Sequence, residues 1–503
     1  MKLYSEGRNY KLYEGNMLDM LEVIEPNSID AIVTDPPYGL TSITKRVGKE
    51  GSAPIPFGKD GAFSRLDKGF MGKEWDGSGI EYNVEAWKKC FTVLKSGGYL
   101  LAFGGTRTFH RIACAIEDAG FEIRDTICWL YGSGFPKSMN IGLSIDKKNG
   151  VESEFVRFGV SGSTSKAFNL NDQQREAGTG VLAGEYEIRK AQNEWDGWGT
   201  ALKPAYEPII VARKPCEGSC VDNVLKYGVG GINIDECRIP TNDTLTHGGN
   251  LGKQAGDDRT GKALGMFQEG TENTFEQNPN GRYPANVILT YDETDMEEVC
   301  GGMPYTESNG GATTMPDFID AGAKNVANGG MNKVGYNVGE TATRKESSYV
   351  APIDSGSAAR YFYCAKASQK DRDEGLEAFE TKKTGELQGG RQEGSAGSIM
   401  QNADGTTRVN PYAGTGAPKK NTHPTVKPCE LMQYLIKLVT PKGGTVLDPF
   451  NGSGSTGKAC MYENRERQAN YNYIGIELTP EYLPISDARI SVIANQPRRR
   501  RLI

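Results

Sequence analysis

The sequence predicts an α/β fold, a doubly wound and mostly parallel sheet interrupted by a long insertion. Three observations carry this. Short apolar strands alternate with amphipathic helices towards both ends of the chain. Two of those strands run into unusual turns: "SIDAIVT" into "DPPYG", and "GTVLDPF" into "NGSGSTG". Between them lies a long stretch rich in Gly, Asn, Thr and Ser with little periodicity.

In order, "SIDAIVT" reads as a buried strand. "VEAWKKCFTVLK" has helical spacing in Val84, Trp87, Phe91 and Leu94, with Gly97-Gly98 as its stop. "GYLLAF" is the next strand. "TRTFHRIACAIEDAG" is a helix with Thr106 as N-cap and Gly120 at its end. "FEIRDTICWLYG" and "EPIIVAR" follow as strands. From Cys216 to about Lys420 only "RYPANVILTYD" and "SAARYFYCAK" look extended. Order returns in the helix "KPCELMQYLIKLVT", the strand "GTVLDPF", the turn and helix "NGSGSTGKACMYEN", the strand "NYIGIEL" and the helix "TPEYLPISDARISVI". The expected division is therefore 1–215, 216–420 and 421–503, with the first and last parts joined in one sheet.

Composition sets limits. The 503 residues carry a net charge of −6, which argues against a strongly basic nucleic-acid coat but not against a local basic cleft. No apolar run is long enough for a membrane span, and "MKLYSEGRNYKLYEG" lacks the apolar core of a signal peptide. Ten scattered cysteines suit reduced thiols in the cytoplasm.

The turn Asp35-Pro36-Pro37-Tyr38 fixes two φ angles, removes two backbone donors and keeps Asp35 out of helical space. It is either a plain strand-ending turn or a rigid clamp of acceptors beside an aromatic plate. In "VLDPFNGSGSTGKAC" the glycines permit a tight turn and close approach of backbone to ligand at a helix N-terminus. This is neither the full dinucleotide fingerprint nor a phosphate loop. Glu477, ending the next strand, suits ribose hydroxyls. A nucleoside with a carboxylate instead of phosphates fits this set, and S-adenosylmethionine is such a ligand.

Taken together and in this order, "TDPPY", "HPTVKP" and "DPFNGSGST" resemble the amino-group DNA methyltransferases of the β arrangement, of phage or restriction-modification type. "GGTRTFHRIACAIEDAG" and "KPAYEPIIVARKP" resemble segments of phage-borne members. The resemblance implies a seven-stranded, circularly permuted S-adenosylmethionine-dependent methyltransferase sheet, with target recognition inserted at 216–420. It implies that Tyr38 stacks on a flipped base while Asp35 and the Pro36 carbonyl accept from its exocyclic amine, Pro37 orienting Tyr38. It further implies that Asp448, Pro449, Phe450 and the turn Asn451, Gly452, Ser453, Gly454 hold the methionine part. Glu477, with Leu478 beside it, takes the ribose, and Thr425 and Lys427 lie near the cofactor carboxylate. Asn16 and Met17 in "YEGNMLDML" correspond to the segment contacting adenine, with Gly15-Asn16 where the family usually carries Gly-Asp. The implied partner is double-stranded DNA, with no membrane; a homodimer is compatible.

The implied product is N6-methyladenine, because N4-cytosine members of this arrangement usually begin the clamp with Ser. N4-cytosine methylation is the alternative. Protein glutamine methylation, which also uses a Pro-Pro-Tyr clamp, carries its motifs in the opposite order. A DNA-binding subunit without catalysis conflicts with the intact clamp. Several signals stay open. Cys216, Cys220, Cys237 and His247 are free thiols and a surface histidine, or zinc ligands. Trp195 and Trp198 are packing residues or DNA contacts. Arg498 to Arg501 are a solvated tail or phosphate contacts.

Overall fold

The computed structural model describes residues 2–39, 79–131, 138–160, 185–240, 278–290, 305–306, 356–357, 362–363, 367–381, 399–401, 407–409 and 419–497. The chain forms two compact units. The larger is Met1–Cys237, Ala285–Asp292 and Tyr363–Ile503; the smaller is Arg238–Pro284 and Glu293–Phe362.

The strands are β1 (Lys2–Gly7), β2 (Tyr10–Glu14), β3 (Ile29–Thr34), β4 (Leu94–Phe103), β5 (Glu122–Tyr131), β6 (Glu154–Val160), β7 (Glu185–Lys190), β8 (Tyr206–Arg213), β9 (Val287–Thr290), β10 (Tyr305–Thr306), β11 (Gly356–Ser357), β12 (Phe362–Tyr363), β13 (Ile399–Gln401), β14 (Thr407–Val409), β15 (Thr445–Asp448) and β16 (Asn472–Glu477). The helices are α1 (Met17–Met20), α2 (Val84–Val93), α3 (Phe109–Asp118), α4 (Ile141–Asn149), α5 (Cys220–Tyr227), α6 (Gln369–Asp373), α7 (Cys429–Val439), α8 (Ser455–Glu466) and α9 (Leu483–Ala494).

The main sheet runs β1-β2-β16-β15-β3-β4-β8-β5-β9, and β12 completes ten strands. The seven expected strands are the consecutive run β2 to β5, with β1 added at one edge and β9 and β12 at the other. From β2 to β4 every neighbour is parallel, and β8 is inserted antiparallel between β4 and β5. This is the mostly parallel, doubly wound sheet expected. The elements α5, β9 and α6 belong to the larger unit although they lie within 216–420. In the smaller unit β10 and β11 pair, and Ile239 bridges Arg282.

Every residue of β3 is buried, as both faces of a covered parallel sheet require. Leu100, Ala102, Ile210, Ala212, Leu447 and Ile476 pack with Trp87, Cys90, Ile112 and Ile116 of α2 and α3. Their strand neighbours Leu101, Phe103, Ile209, Val211 and Val446, pointing to the opposite face by the period of two, are buried as well. There α7 packs on α8, and α8 on α9.

Two local expectations are corrected. Helix α2 ends at Val93, before Gly97-Gly98, and the chain enters β4 at Leu94. The buried Lys214 ammonium supplies the stop, accepting its place by donating to the carbonyls of Phe91 at 2.8 Å and Leu94 at 2.7 Å. The cap of α3 is Thr108, not Thr106. Its hydroxyl makes no cap bond, because it donates instead to the Tyr38 carbonyl at 2.7 Å.

The helix α6 is tied to the glycine turn's own helix by a buried cation. Lys458, fully buried in α8, meets Asp371 Oδ1 at 2.7 Å and Glu374 Oε2 at 3.0 Å, and donates to the Asp371 carbonyl. Arg489 of α9 donates to the carbonyls of both Ser453 and Asp371. Replacing Lys458 by Ala removes the cation from two part-exposed carboxylates and empties a fully buried side-chain site. The expected outcome is a loss of about 3–5 kcal/mol, read as a lower denaturant midpoint than wild type. An unchanged midpoint refutes this role for the ion pairs.

Candidate active site

Parallel pairing of β15 with β3, Val446 opposite Ala31 and Leu447 opposite Ile32, brings two motifs far apart in sequence to the same end of the sheet. Both turns follow the last residues of their strands, at the carboxyl ends where such sheets bind ligands. They open into one cleft of about 1860 Å³. Its wall includes Asn16, Met17, Glu477 and Leu478 at one side. It continues through Asp448, Pro449, Phe450, Asn451, Gly452 and Ser453 to Asp35, Pro36, Pro37, Tyr38, Thr425 and Lys427. Of the residues singled out in the sequence for the site, Gly454 alone is not on this wall.

The clamp is held from behind. Thr34 donates its hydroxyl to Asp448 Oδ1 at 2.6 Å, a buried bond joining the two strand ends directly. The Tyr38 carbonyl accepts from Thr108 Oγ1 and from the Tyr82 hydroxyl at 3.2 Å, and the Gly39 carbonyl lies 3.1 Å from the same hydroxyl. Gly39 has φ +56°, where a side chain is strained and a Cβ would strike Glu81 and Tyr82.

The Tyr38 hydroxyl lies between two carboxylates, 2.9 Å from Asp35 Oδ1 and 2.7 Å from Glu207 Oε2. Lys427 differs from the expectation that set it beside a cofactor carboxylate. Its buried ammonium donates to Asp35 Oδ2 at 2.6 Å and to the Tyr38 oxygen at 3.1 Å, and lies 3.4 Å from Glu207. It also sits over the Phe103 ring, 4.8 Å from its centroid. The physical reason is charge: Asp35 and Glu207 share a poorly solvated wall and require a counter-ion. Burial alone would lower the Lys427 pKa, but Asp35 and Glu207 outweigh it and raise it, so the ammonium stays protonated. Burial, then Asp35 and Glu207, hold the Tyr38 phenol well above its ordinary value.

On the other motif, Gly452 and Gly454 have φ of +52° and +76°. A Cβ on Gly452 would sit 2.9 Å from His423 Nε2, so this turn packs against "HPTVKP". Asn451 turns inward: its amide donates to Ser486 Oγ at 2.8 Å and its carbonyl accepts from the Tyr473 hydroxyl at 2.7 Å. Asp448 accepts from Thr34, from Thr456 Oγ1 at 2.6 Å and from the Phe450 amide. Burial pushes its carboxyl up to about 6, with Thr34, Thr456 and the Phe450 amide opposing. Burial pushes Glu477 up to about 7 against the amides of Thr479 and Gly452, which donate to its two oxygens at 2.8 and 2.7 Å. Asn16 caps α1, accepting from the Leu18 amide, and the preceding Gly15 amide donates to the Glu477 carbonyl. Phe450 packs on Trp87.

Glu207 was missed in the sequence although its segment, "KPAYEPIIVARKP", was singled out. The available signal is positional. Because β8 runs antiparallel to β4 and β5, its first residues lie at the functional end of the sheet, Glu207 opposite Trp129. Elsewhere, Trp195 and Trp198 form an edge-on pair with centroids 5.2 Å apart, beyond the hairpin β6–β7. Cys216 and Cys220 approach to 3.8 Å and Cys237 is buried, while His247 and Arg498 to Arg501 lie outside the described residues.

Comparison with known proteins shows the chain's family. The family model described as "DNA methylase", for N6 and N4 methyltransferases, matches residues 29–488. The chain is similar to the type II methyltransferase M.HindIII of Haemophilus influenzae, 24% identical over 241 residues, covering 44% of this chain and 64% of that protein. It is 44% identical to M.BglI of Bacillus subtilis over 72 residues, 14% of this chain and 19% of that protein. It is 26% identical to M2.LlaDCHI of Lactococcus lactis subsp. cremoris over 246 residues, 46% of this chain and 82% of that protein. The matches to the first two thus span less than two thirds of those proteins.

The raised Glu477 carboxyl makes stability depend on pH. Its folded value lies above the ordinary Glu value, so the folded chain holds this proton more tightly than the unfolded chain. The resulting stability is complete below the unfolded pKa and is lost as pH rises to about 7. Glu477→Gln abolishes that loss. Relative to wild type, the variant should gain stability on going from pH 5 to pH 8, by on the order of 3 kcal/mol. Denaturant titrations at the two pH values measure it; a wild-type-to-variant difference that is the same at both contradicts it.

Proposed function

Because the chain belongs to the N6/N4 DNA methylase family, we propose that it transfers a methyl group from S-adenosylmethionine to the N6 amine of an adenine flipped out of duplex DNA. The observation that carries this reading is the shared cleft, where the Asp35–Tyr38 clamp and the Asp448–Ser453 turn face one space.

The turn suits this cofactor. Glu477 and Asp448 put two carboxyl groups on its side of the cleft, which disfavours phosphates and favours ribose hydroxyls beside a cationic sulfonium. Backbone amides at the start of α8 suit the amino-acid carboxylate. When bound, S-adenosylmethionine supplies an electrophilic methyl group.

The chain's own residues do the rest. Tyr38 offers its ring face to the base, held by the bonds on its carbonyl and hydroxyl. Asp35 Oδ2 accepts from Lys427 and Oδ1 lies 2.9 Å from the Tyr38 hydroxyl, so each oxygen keeps a lone pair for the amine. The Pro36 carbonyl is the second acceptor. Two acceptors on one NH2 draw its lone pair out of ring conjugation and aim it at the donor side, a catalysis of position and electrostatics. No cysteine lines the cleft among the described residues, so the covalent thiolate attack of carbon-5 methylation has no support there. Asp at position 35, rather than Ser, favours adenine over cytosine N4.

Asp35→Ala should lower methyl transfer by on the order of 10²–10⁴-fold, while S-adenosylmethionine binding by calorimetry stays within a few fold of wild type. Near-wild-type transfer refutes the clamp. Nucleoside mass spectrometry of methylated duplex should return N6-methyladenine; N4-methylcytosine alone moves the target to cytosine and leaves the mechanism in place. The 216–420 region is proposed to read sequence through base-edge contacts. Exchanging residues 216–420 for the corresponding segment of a relative should change the methylated sequence, as read by modification-sensitive sequencing. An unaltered sequence refutes that assignment.

A further inference from the structure

One phenol between two carboxylates poses a proton problem. Tyr38 Oη lies within hydrogen-bond distance of both Asp35 and Glu207, yet a phenol has a single proton to donate. The second oxygen–oxygen contact becomes a hydrogen bond only when one of the carboxyls carries a proton of its own. The arrangement is therefore built for one proton more than two carboxylates and a phenol hold at neutral pH. Charge points the same way. Asp35 and Glu207 face one buried ammonium, that of Lys427, leaving the cluster with one negative charge in excess. One further proton delivered to the cluster makes it neutral.

We propose that Glu207 is the end of a proton relay, receiving through the Tyr38 hydroxyl the proton that the methylated amine gives to Asp35. This rests on the methyl-transfer reading above. Methyl transfer leaves the amine nitrogen positively charged. Its N–H bond breaks, the electron pair stays on nitrogen, and the proton forms an O–H bond on Asp35. That proton passes to Tyr38 Oη as the phenol's own proton moves to Glu207 Oε2. Tyr38 ends unchanged, Asp35 is again a carboxylate ready for the next amine, and Glu207 is a neutral acid. The phenol never ionises, which accords with the high pKa its surroundings impose. The Tyr131 hydroxyl lies 3.5 Å from the other Glu207 oxygen, and Tyr131 is on the cleft wall. Lys427 holds both carboxylates from one side, and Asp448, bonded to Thr34 beside the clamp, adds a further acid near Asp35. Glu207 and Lys427 thus act through Asp35 and Tyr38 and are positioning residues.

The test is the pH profile of kcat for the full chain with S-adenosylmethionine and duplex DNA, in wild type, Glu207→Gln and Tyr38→Phe. Tyr38→Phe keeps the stacking ring and removes the relaying oxygen. The relay requires both variants to lose at least tenfold at neutral pH and to recover towards wild type as the pH rises and bulk base replaces the relay. Circular dichroism and S-adenosylmethionine binding report that each variant is folded. A loss in Glu207→Gln of the same size at every pH means that Glu207 only fixes the Tyr38 ring, and overturns the relay. A wild-type rate in either variant overturns it too. Absence of any methyl transfer to DNA by the wild-type chain overturns the underlying reading and the relay together, whereas the first two results leave methyl transfer standing.

Discussion

The site depends on one contact between distant parts of the chain, the parallel pairing of β15 with β3. The Thr445 amide donates to Asp30 Oδ2 across 415 positions, and Thr34 donates to Asp448 at the other end of the same pair of strands. Closing so long a loop costs entropy that grows only with the logarithm of its length. The pairing is offset by burying Ile32, Val446 and Leu447 completely. Asp30 also accepts from Lys95, so one carboxylate ties β3 to both its neighbours.

Electrostatics then divides the cleft into two environments. On the clamp side, Lys427 compensates Asp35 and Glu207, and the wall is a paired network. On the turn side, Asp448 and Glu477 have hydroxyl and amide donors but, among the described residues, no cation bonded to them, and burial raises both. The first arrangement holds two carboxyl groups at fixed positions beside one ammonium. The second leaves carboxyls whose charge responds to what approaches them.

How legible this was in the sequence follows from the range of the interactions. The α/β ends, the two turns and most strand and helix positions were readable because they rest on local rules: alternation, periodicity and the conformational demands of Pro and Gly. The end of α2 was misread because the residue that stops it, Lys214, comes from the far end of β8. Thr106 was favoured over Thr108 because nothing local says that a hydroxyl will be used by the Tyr38 carbonyl. Glu207 was invisible for the same reason, since its meaning depends on an antiparallel strand placed among parallel ones. Lys458 follows the glycine turn with no local sign of its partners, and only the fold turns it inward to Asp371 and Glu374.

At the edge of the sheet, Ser5 of β1 and Tyr10 of β2 both donate to Asp487 of α9. The first strands and the last described helix are therefore neighbours in space. A covalent link across that contact and a new opening elsewhere on the surface would leave every strand partner in place. The order of clamp first and cofactor turn last is thus a matter of where the backbone is open, and the packing is indifferent to it. A family in which the same motifs occur in different orders is what such a closed arrangement permits: rearranged genes can converge on one and the same sheet.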